Sequence, residues 1–390
     1  MDLATYKIYS TTAELPRDWD SLSYSDIFLQ TDYLKVLEEA CPKTFCCFYV
    51  GVFKEEELVG IALIQRVELY ARDMFRSDRV PYFKRIARNI ISCVLRGHIL
   101  VLGNLTHTGQ HGYGFDINKI STEDFFKSIS LAMNELRQNL KVEKRKRIRL
   151  YLLKDYFEND SIHQFDDVLN EKGFIKTTAQ PNMILSIDDT WKKPSDYVNA
   201  KVKKYRRRYT TARKKLNIQK RELNLEDIQI HSPTLYKLYK NVSDNAQFNT
   251  FILPERHFCS LKEHLKERFK LIGYFYKEEL IGFYTLIENN QVLETYFLGY
   301  DEAHQYQNQL YLNMLFDMAE YAVENKFKQV VYARTAMEIK SSVGAKPYDM
   351  IMYLKHTNTI LNSIIRQVYN LMNPKRDWEE RNPFGNKNPE

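Results

Sequence analysis

Cysteine is scarce in this chain and follows no pattern. Its five cysteines, Cys41, Cys46, Cys47, Cys93 and Cys259, are odd in number and form no C-x-x-C spacing. That excludes a disulfide framework or a zinc knuckle, and no metal site is expected. Glycine and proline are also few, thirteen and eleven in 390 residues, which argues against a linker-rich or disordered chain. Long apolar runs are missing: none approaches the ~18 residues of a membrane span. The N-terminus, Met1-Asp-Leu-Ala-Thr-Tyr-Lys, lacks an apolar signal core. The expectation is a cytoplasmic protein with no membrane span.

What is present is enough apolar material, 44% of residues, for two separate cores. Two stretches 222 positions apart read almost alike. Gly51-Val-Phe-Lys-Glu-Glu-Glu-Leu-Val-Gly60 aligns without a gap on Gly273-Tyr-Phe-Tyr-Lys-Glu-Glu-Leu-Ile-Gly282, with six identities in ten. Apolar arms around a charged turn predict a β-hairpin in each. A hairpin repeated at a domain-sized period predicts two copies of one fold.

The periodicity supports this. In each half, helices come first, then three strands, a helix, a strand, a helix and a strand. This order predicts a mixed, mostly antiparallel sheet flanked by helices, in the α/β (mixed α+β) class. The expected domains are 1–188, 189–356 and a C-terminal helix with a partly disordered tail at 357–390. The segments 174–177 and 183–187 read as two strands closing the first half. The first copy carries an insertion, residues 70–98, in which 83–96 spell a cationic amphipathic helix. Such a helix suits either a bilayer interface or its own domain's core.

The net charge of +7 is concentrated in two runs. Lys141 to Arg149 holds six basic residues and Lys201 to Lys215 holds nine, the latter on a helix read as 195–216. These suit phosphates, acidic proteins or an anionic membrane surface. For the shorter run, a solvated helix face is the simpler reading.

The segment Tyr332-Ala-Arg-Thr-Ala-Met-Glu-Ile-Lys-Ser-Ser-Val-Gly-Ala-Lys-Pro347 puts charged residues at a strand-to-helix junction, where sites in such sheets often form. With the preceding Leu310-Tyr-Leu-Asn-Met-Leu helix, the paired hairpins and the basic helix, it resembles the FemAB-like branch of the GNAT acyltransferase superfamily. Gly103-Asn104, Thr108-Gly109 and Gly112 add weakly to the likeness. The resemblance spans the chain except its tail. It implies two tandem GNAT-like domains with the acyl-transfer site in the second. The reaction it implies is transfer of an acyl group from a CoA or acyl-carrier-protein thioester to a primary amine, such as a lipid amine or an envelope precursor. The donor is a substrate, and no permanently bound cofactor is expected. Two alternatives stay open: an aminoacyl-tRNA-dependent peptidoglycan aminoacyltransferase, and a non-catalytic binding module. In one respect the chain departs from the pattern. The Q/R-x-x-G-x-G/A loop that holds the CoA pyrophosphate in ordinary GNAT enzymes is here Gly299-Tyr-Asp-Glu-Ala-His-Gln-Tyr-Gln-Asn-Gln-Leu310, with no glycine after Gly299.

Glu294 and Tyr296 alternate onto one face of the third hairpin-sheet strand, where either would accept or relay a proton. The resemblance to GNAT domains implies that the backbone of 294–298 supplies an N–H to the oxyanion. Arg334 needs an anion, either substrate or Glu338 one turn on. Arg334 and Glu338 complete the catalytic candidates. Lys340, His304, Lys204, Arg207 and Arg208 are the substrate-binding candidates. The partners expected are the donor, the amine acceptor and an anionic membrane contacted from the cytoplasmic face, with tRNA only in the alternative reading.

Overall fold

The computed structural model describes residues 4–69, 82–142, 146–245, 251–372 and 377–385. The chain forms two compact units. One comprises Met1–Gln180, Gln247–Pro254 and Asp349–Lys375, the other Pro181–Ala246, Glu255–Tyr348 and Arg376–Glu390.

In the first unit, strands β1 (Thr5–Tyr9), β2 (Phe45–Lys54), β3 (Glu57–Leu69), β4 (Gly97–Leu102) and β6 (Ile148–Phe157) lie in that order, with β5 (Tyr113–Phe115) paired to β3. The helix Thr122–Val142 covers one face, burying Phe125, Ile129, Met133 and Leu136 against Val50, Val52, Ile64 and Leu153. In the second unit, β12 (Gln329–Val331), β11 (Val292–Tyr300), β10 (Glu279–Asn289), β9 (Phe269–Tyr276) and β8 (Gln219–Glu222) lie side by side. The helix Leu310–Glu324 packs on one face through Met314, Leu315, Met318 and Ala322.

Each unit is completed by a strand from the other half of the sequence. Residues 175–186 form one strand, β7 (Ile175–Ser186), rather than two. Its end belongs to the second unit, where Ile184 pairs with Val331. Proline's fixed φ is compatible with extended backbone, so Pro181 removes one donor without ending the strand. Reciprocally, residues 349–356 of β13 (Lys346–His356) belong to the first unit and run antiparallel to β6, from Met350 opposite Phe157 to His356 opposite Leu150. The expected boundaries at 188/189 and 356/357 therefore differ from the crossings, which fall at Gln180/Pro181 and Tyr348/Asp349.

The repeated hairpins fold alike in detail. Glu55 and Glu56 turn β2 into β3 at φ 50° and 67°, and Lys277 and Glu278 turn β9 into β10 at 47° and 65°. Two central residues at positive φ give the turn whose twist matches the flanking strands. Each hairpin shifts register just beside its turn, between Val52 and Phe53 on β2 and between Leu280 and Gly282 on β10. The shared glycines have shared causes. A Cβ on Gly60 would lie 2.7 Å from the Phe125 ring, and one on Gly282 would lie 2.9 Å from Met314 Cε. Both glycines let a long helix approach the sheet.

Two helical expectations change, and for a third the described residues favour one of its two alternatives. The stretch 195–216 breaks into Pro194–Ala200 and Lys203–Lys215, because Lys201 is extended (ψ 146°) and turns its side chain inward. The long helix near 306–326 breaks at Gln309, which is left-handed at φ 49°. The insertion helix, Tyr82–Leu95, buries Ile91, Val94 and Leu95 with Val67, Leu69, Leu150, Leu354, Ile365 and Val368. Those positions face their own unit's core and are closed to lipid. The rest of the insertion, 70–81, lies outside the described residues. No described helix is long and apolar enough to cross a membrane.

Nor is the described part of the tail disordered. Ile365 and Val368 are in the first unit's core, and residues 377–385 pack on the second unit. There Phe384 lies against Trp191 and Tyr197, and the Val202 amide donates to Pro383 O at 2.8 Å.

Candidate active site

The second unit opens where its two parallel strands part. β11 and β12 pair over only three residues, Val292–Gln329, Leu293–Val330 and Glu294–Val331. β11 then continues to Tyr300, while the chain leaves β12 at Tyr332. The carboxyl ends of parallel strands are where such sheets place ligands. Glu294 sits at the fork and is buried, 3% exposed. The Leu293 and Val330 side chains point into the core beneath the long helix. Alternation therefore puts Glu294 and Val331 on the opposite face, beside Ile184 of β7. Tyr296 follows two residues on, and its hydroxyl is 3.1 Å from Nε2 of the fully buried His257. The two rings stack at 5.8 Å. Asn182 is on β7, two residues before Ile184, so it shares that face. It is 1% exposed, and its Oδ1 has no hydrogen-bond partner.

β11 is also irregular at this point. Tyr284 faces Leu298 whereas Leu286 faces Thr295, so β11 carries an extra residue. The Thr285 hydroxyl fills this bulge: it donates to Phe297 O at 2.7 Å and accepts from Phe297 N at 2.9 Å. The Phe297 amide, one of the expected oxyanion donors, is thus already engaged.

On the other side of the fork the backbone is strained. Ala333, Thr335 and Ala336 have φ of 57°, 66° and 48°. A β-branched residue there is an outlier of a kind that clusters at functional sites. Lys340, on the following helix Met337–Val343, holds the loop. It is 5% exposed, and its ammonium donates to Ala333 O at 3.2 Å and to Arg334 O at 2.5 Å. The ammonium expected to contact substrate is engaged here by the loop's own carbonyls.

Burial holds the Lys340 ammonium down at about 7, against an ordinary 10.5. The unfolded chain then binds that proton more tightly than the folded one, so stability rises with pH from about 7 and levels off above about 10. Lys340→Met is expected to flatten this rise, which amounts to a few kcal/mol, in urea unfolding measured at pH 7 and pH 9.5. An unchanged slope would contradict the burial argument.

Glu338 opens the same helix and pairs with Arg381 from the tail, whose backbone N–H also bonds Ser341 Oγ at 3.0 Å. The Arg334–Glu338 pairing expected from helical spacing is thus replaced, for Glu338, by a residue 43 positions on. His304 is not at the fork. Its ring lies 5.3 Å from that of Tyr276 at the hairpin end.

The basic helix Lys203–Lys215 has an inner and an outer side. Arg213 reaches Asp317 at 2.7 Å and Glu320 at 2.9 Å. Just before the helix, Lys201 is buried: its ammonium bonds Val343 O at 3.1 Å and lies 3.7 Å from the Tyr197 ring and 4.6 Å from that of Phe384. These two cations are structural. Lys204, Arg207 and Arg208 are exposed, together with Lys203, Arg206, Lys214 and Lys215.

No protein-family model matches the chain, and no curated protein does. Among solved structures, FemX shares 12% identity, covering 93% of this chain and 100% of its own, with a TM-score of 0.54. A tandem GNAT protein from the clavulanic acid biosynthesis pathway shares 9%, covering 91% and 99%, with a TM-score of 0.53. The chain has the FemX and tandem GNAT fold. At these identities the likeness is one of fold.

Within that fold, the position of the usual pyrophosphate loop is built differently here. Asp301 caps the helix Glu302–Asn308 by accepting from Ala303 N at 2.9 Å, so a carboxylate occupies the helix start. Gly299 serves packing: a Cβ there would collide with the backbone of Leu238 and Tyr239 on the helix Leu225–Asp244.

In the first unit, the glycine-marked segment 103–112 is pinned by buried polar groups that the sequence did not single out. Lys154 pairs with Asp155 at 2.7 Å and donates to His107 O at 2.9 Å. The Gly109 amide donates to Asp155 at 3.2 Å, and His111 meets Asp26 at 2.8 Å. Asn104 Oδ1 accepts from the Thr106 amide and hydroxyl and from Gln65. His257, Lys154 and Asp155 carried no local signal, because each acquires its partner only in the folded chain.

Proposed function

We propose that this chain is an N-acyltransferase that moves an acyl group from a CoA or acyl-carrier-protein thioester to a primary amine, of a lipid or an envelope precursor, at the fork between β11 and β12. The amine nitrogen attacks the thioester carbonyl carbon, the C–N bond forms, the C–S bond breaks, and the sulfur leaves as a thiol. Glu294 accepts the proton that the amine gives up. Tyr296, paired with His257, returns a proton to the departing sulfur. Arg334, on the strained loop, binds the anionic part of the donor, and Lys204, Arg207 and Arg208 supply further cations for it. The observation that carries the reading is the parting of the parallel strands directly after a buried carboxylate.

A second reading, aminoacyl transfer from tRNA, is favoured by the seven exposed cations of the helix 203–215, which suit a polyanionic donor. Incubation with acyl-CoA, acyl carrier protein and aminoacyl-tRNA in separate tubes, with amine acceptors and detection by mass spectrometry, tests both. An N-acylated amine from either thioester supports the first reading. A product from the tRNA tube alone replaces it with the second.

A further inference from the structure

One pocket of the first unit is not used by the transferase reading. The helix Thr122–Val142 contributes Arg137 and Lys141 near its end, and Arg147 enters just before β6. With Ile148, these three line a pocket of about 250 Å³. Lys355 of β13 feels the charges of Arg137 and Lys172, and its ammonium lies 5.5 Å from the Phe174 ring. Among the described residues, none of Arg137, Lys141, Arg147, Lys172 and Lys355 forms an ion pair.

Cations in the last turn of a helix are favourable in themselves, and this accounts for Lys141. It does not account for Arg137, which stands before the last turn, or for Arg147, which comes from outside that helix, yet both line the same pocket. Burial first, and then the charges of Arg137 and Lys172, hold the Lys355 ammonium below its ordinary pKa. Three cations around one pocket repel one another, and an anion bound there would offset that repulsion. Two guanidinium groups converging on one pocket suit a tetrahedral oxyanion with two or more charges, which accepts paired N–H bonds.

We propose that the first unit carries a binding pocket for a phosphomonoester or diphosphate group, formed by Arg137, Lys141 and Arg147. The proposal is independent of the transferase reading, since it concerns other residues in the other unit. The ligand is either a soluble phosphoester or a phospholipid headgroup.

The test is titration calorimetry of the full-length protein with inorganic pyrophosphate at fixed ionic strength. In parallel, the protein is sedimented with phosphatidylcholine vesicles with and without phosphatidate. Arg137→Gln/Arg147→Gln is compared with a charge-matched control in the same unit, Lys43→Gln/Lys127→Gln, and thermal unfolding confirms that both are folded. The expected result is saturable binding, weakened roughly tenfold per cation removed in the pocket variant and little changed in the control. Phosphatidate-dependent sedimentation lost in the pocket variant identifies the headgroup as a source, whereas pyrophosphate binding without sedimentation identifies a soluble one. No saturable binding to either probe, or equal losses in both variants, would overturn the proposal.

Discussion

Replacing Glu294 by glutamine is expected to lower kcat for amide formation by roughly 10²–10⁴-fold and to leave KM for the thioester nearly unchanged. The argument is positional. Glu294 is the last β11 residue to pair with β12, is 3% exposed, and lies on the face away from the long-helix core. Glutamine keeps the size and hydrogen-bonding reach of the side chain but cannot take a proton at neutral pH. Thermal unfolding of the variant separates loss of chemistry from loss of fold. A well-folded Glu294→Gln enzyme with wild-type kcat would remove Glu294 from the mechanism and return the proton to Tyr296 and His257.

The second large effect concerns folding. A fragment ending at residue 188, where the sequence places the domain boundary, is expected to fail as a cooperative unit, because the first unit's sheet needs residues 349–356. Met350, Tyr353 and Leu354 of β13 and Ile365 and Val368 of the following helix are all buried in the first unit. Burying each such side chain contributes about 1.5–3 kcal/mol, so their joint loss rivals the ~5–15 kcal/mol that holds a whole domain. Co-expression of 189–390 should restore soluble 1–188 by supplying the strand. A sharp melting transition for 1–188 alone, close to that of the full chain, would contradict this.

The same exchange shows where the sequence was legible. The hairpins were plain because their signal is local: apolar arms, a charged turn and glycines whose contacts lie within the hairpin or on the next long helix. Two copies of one fold followed from their repetition, and the GNAT likeness from the resemblance carried by the segment 332–347. Strand exchange was not visible, since the residues around Pro181 read the same whether the strand stays in one unit or passes to the other. In the candidate site, the motif 332–347 drew attention to the loop that leaves β12, where Ala333, Thr335 and Ala336 have positive φ. The roles within it depended on distant partners. Lys340 was unreadable as a brace, because its acceptors are backbone carbonyls, and Glu338 was matched to Arg334 because Arg381 is remote in sequence. The oxyanion expectation at 294–298 met a threonine on the neighbouring strand, a partner that only the register of β10 reveals.

The central claim, that this fork transfers an acyl group from sulfur to nitrogen, is tested most directly by measuring both products in one tube. The full-length protein is mixed with an acyl thioester and a long-chain primary amine. Free thiol is followed colorimetrically, and the new amide is followed by mass spectrometry. The account predicts one thiol released per amide formed, with both falling together in Glu294→Gln. Thiol release without amide would mean that water, not an amine, attacks at the fork, and no release with any thioester would contradict the claim.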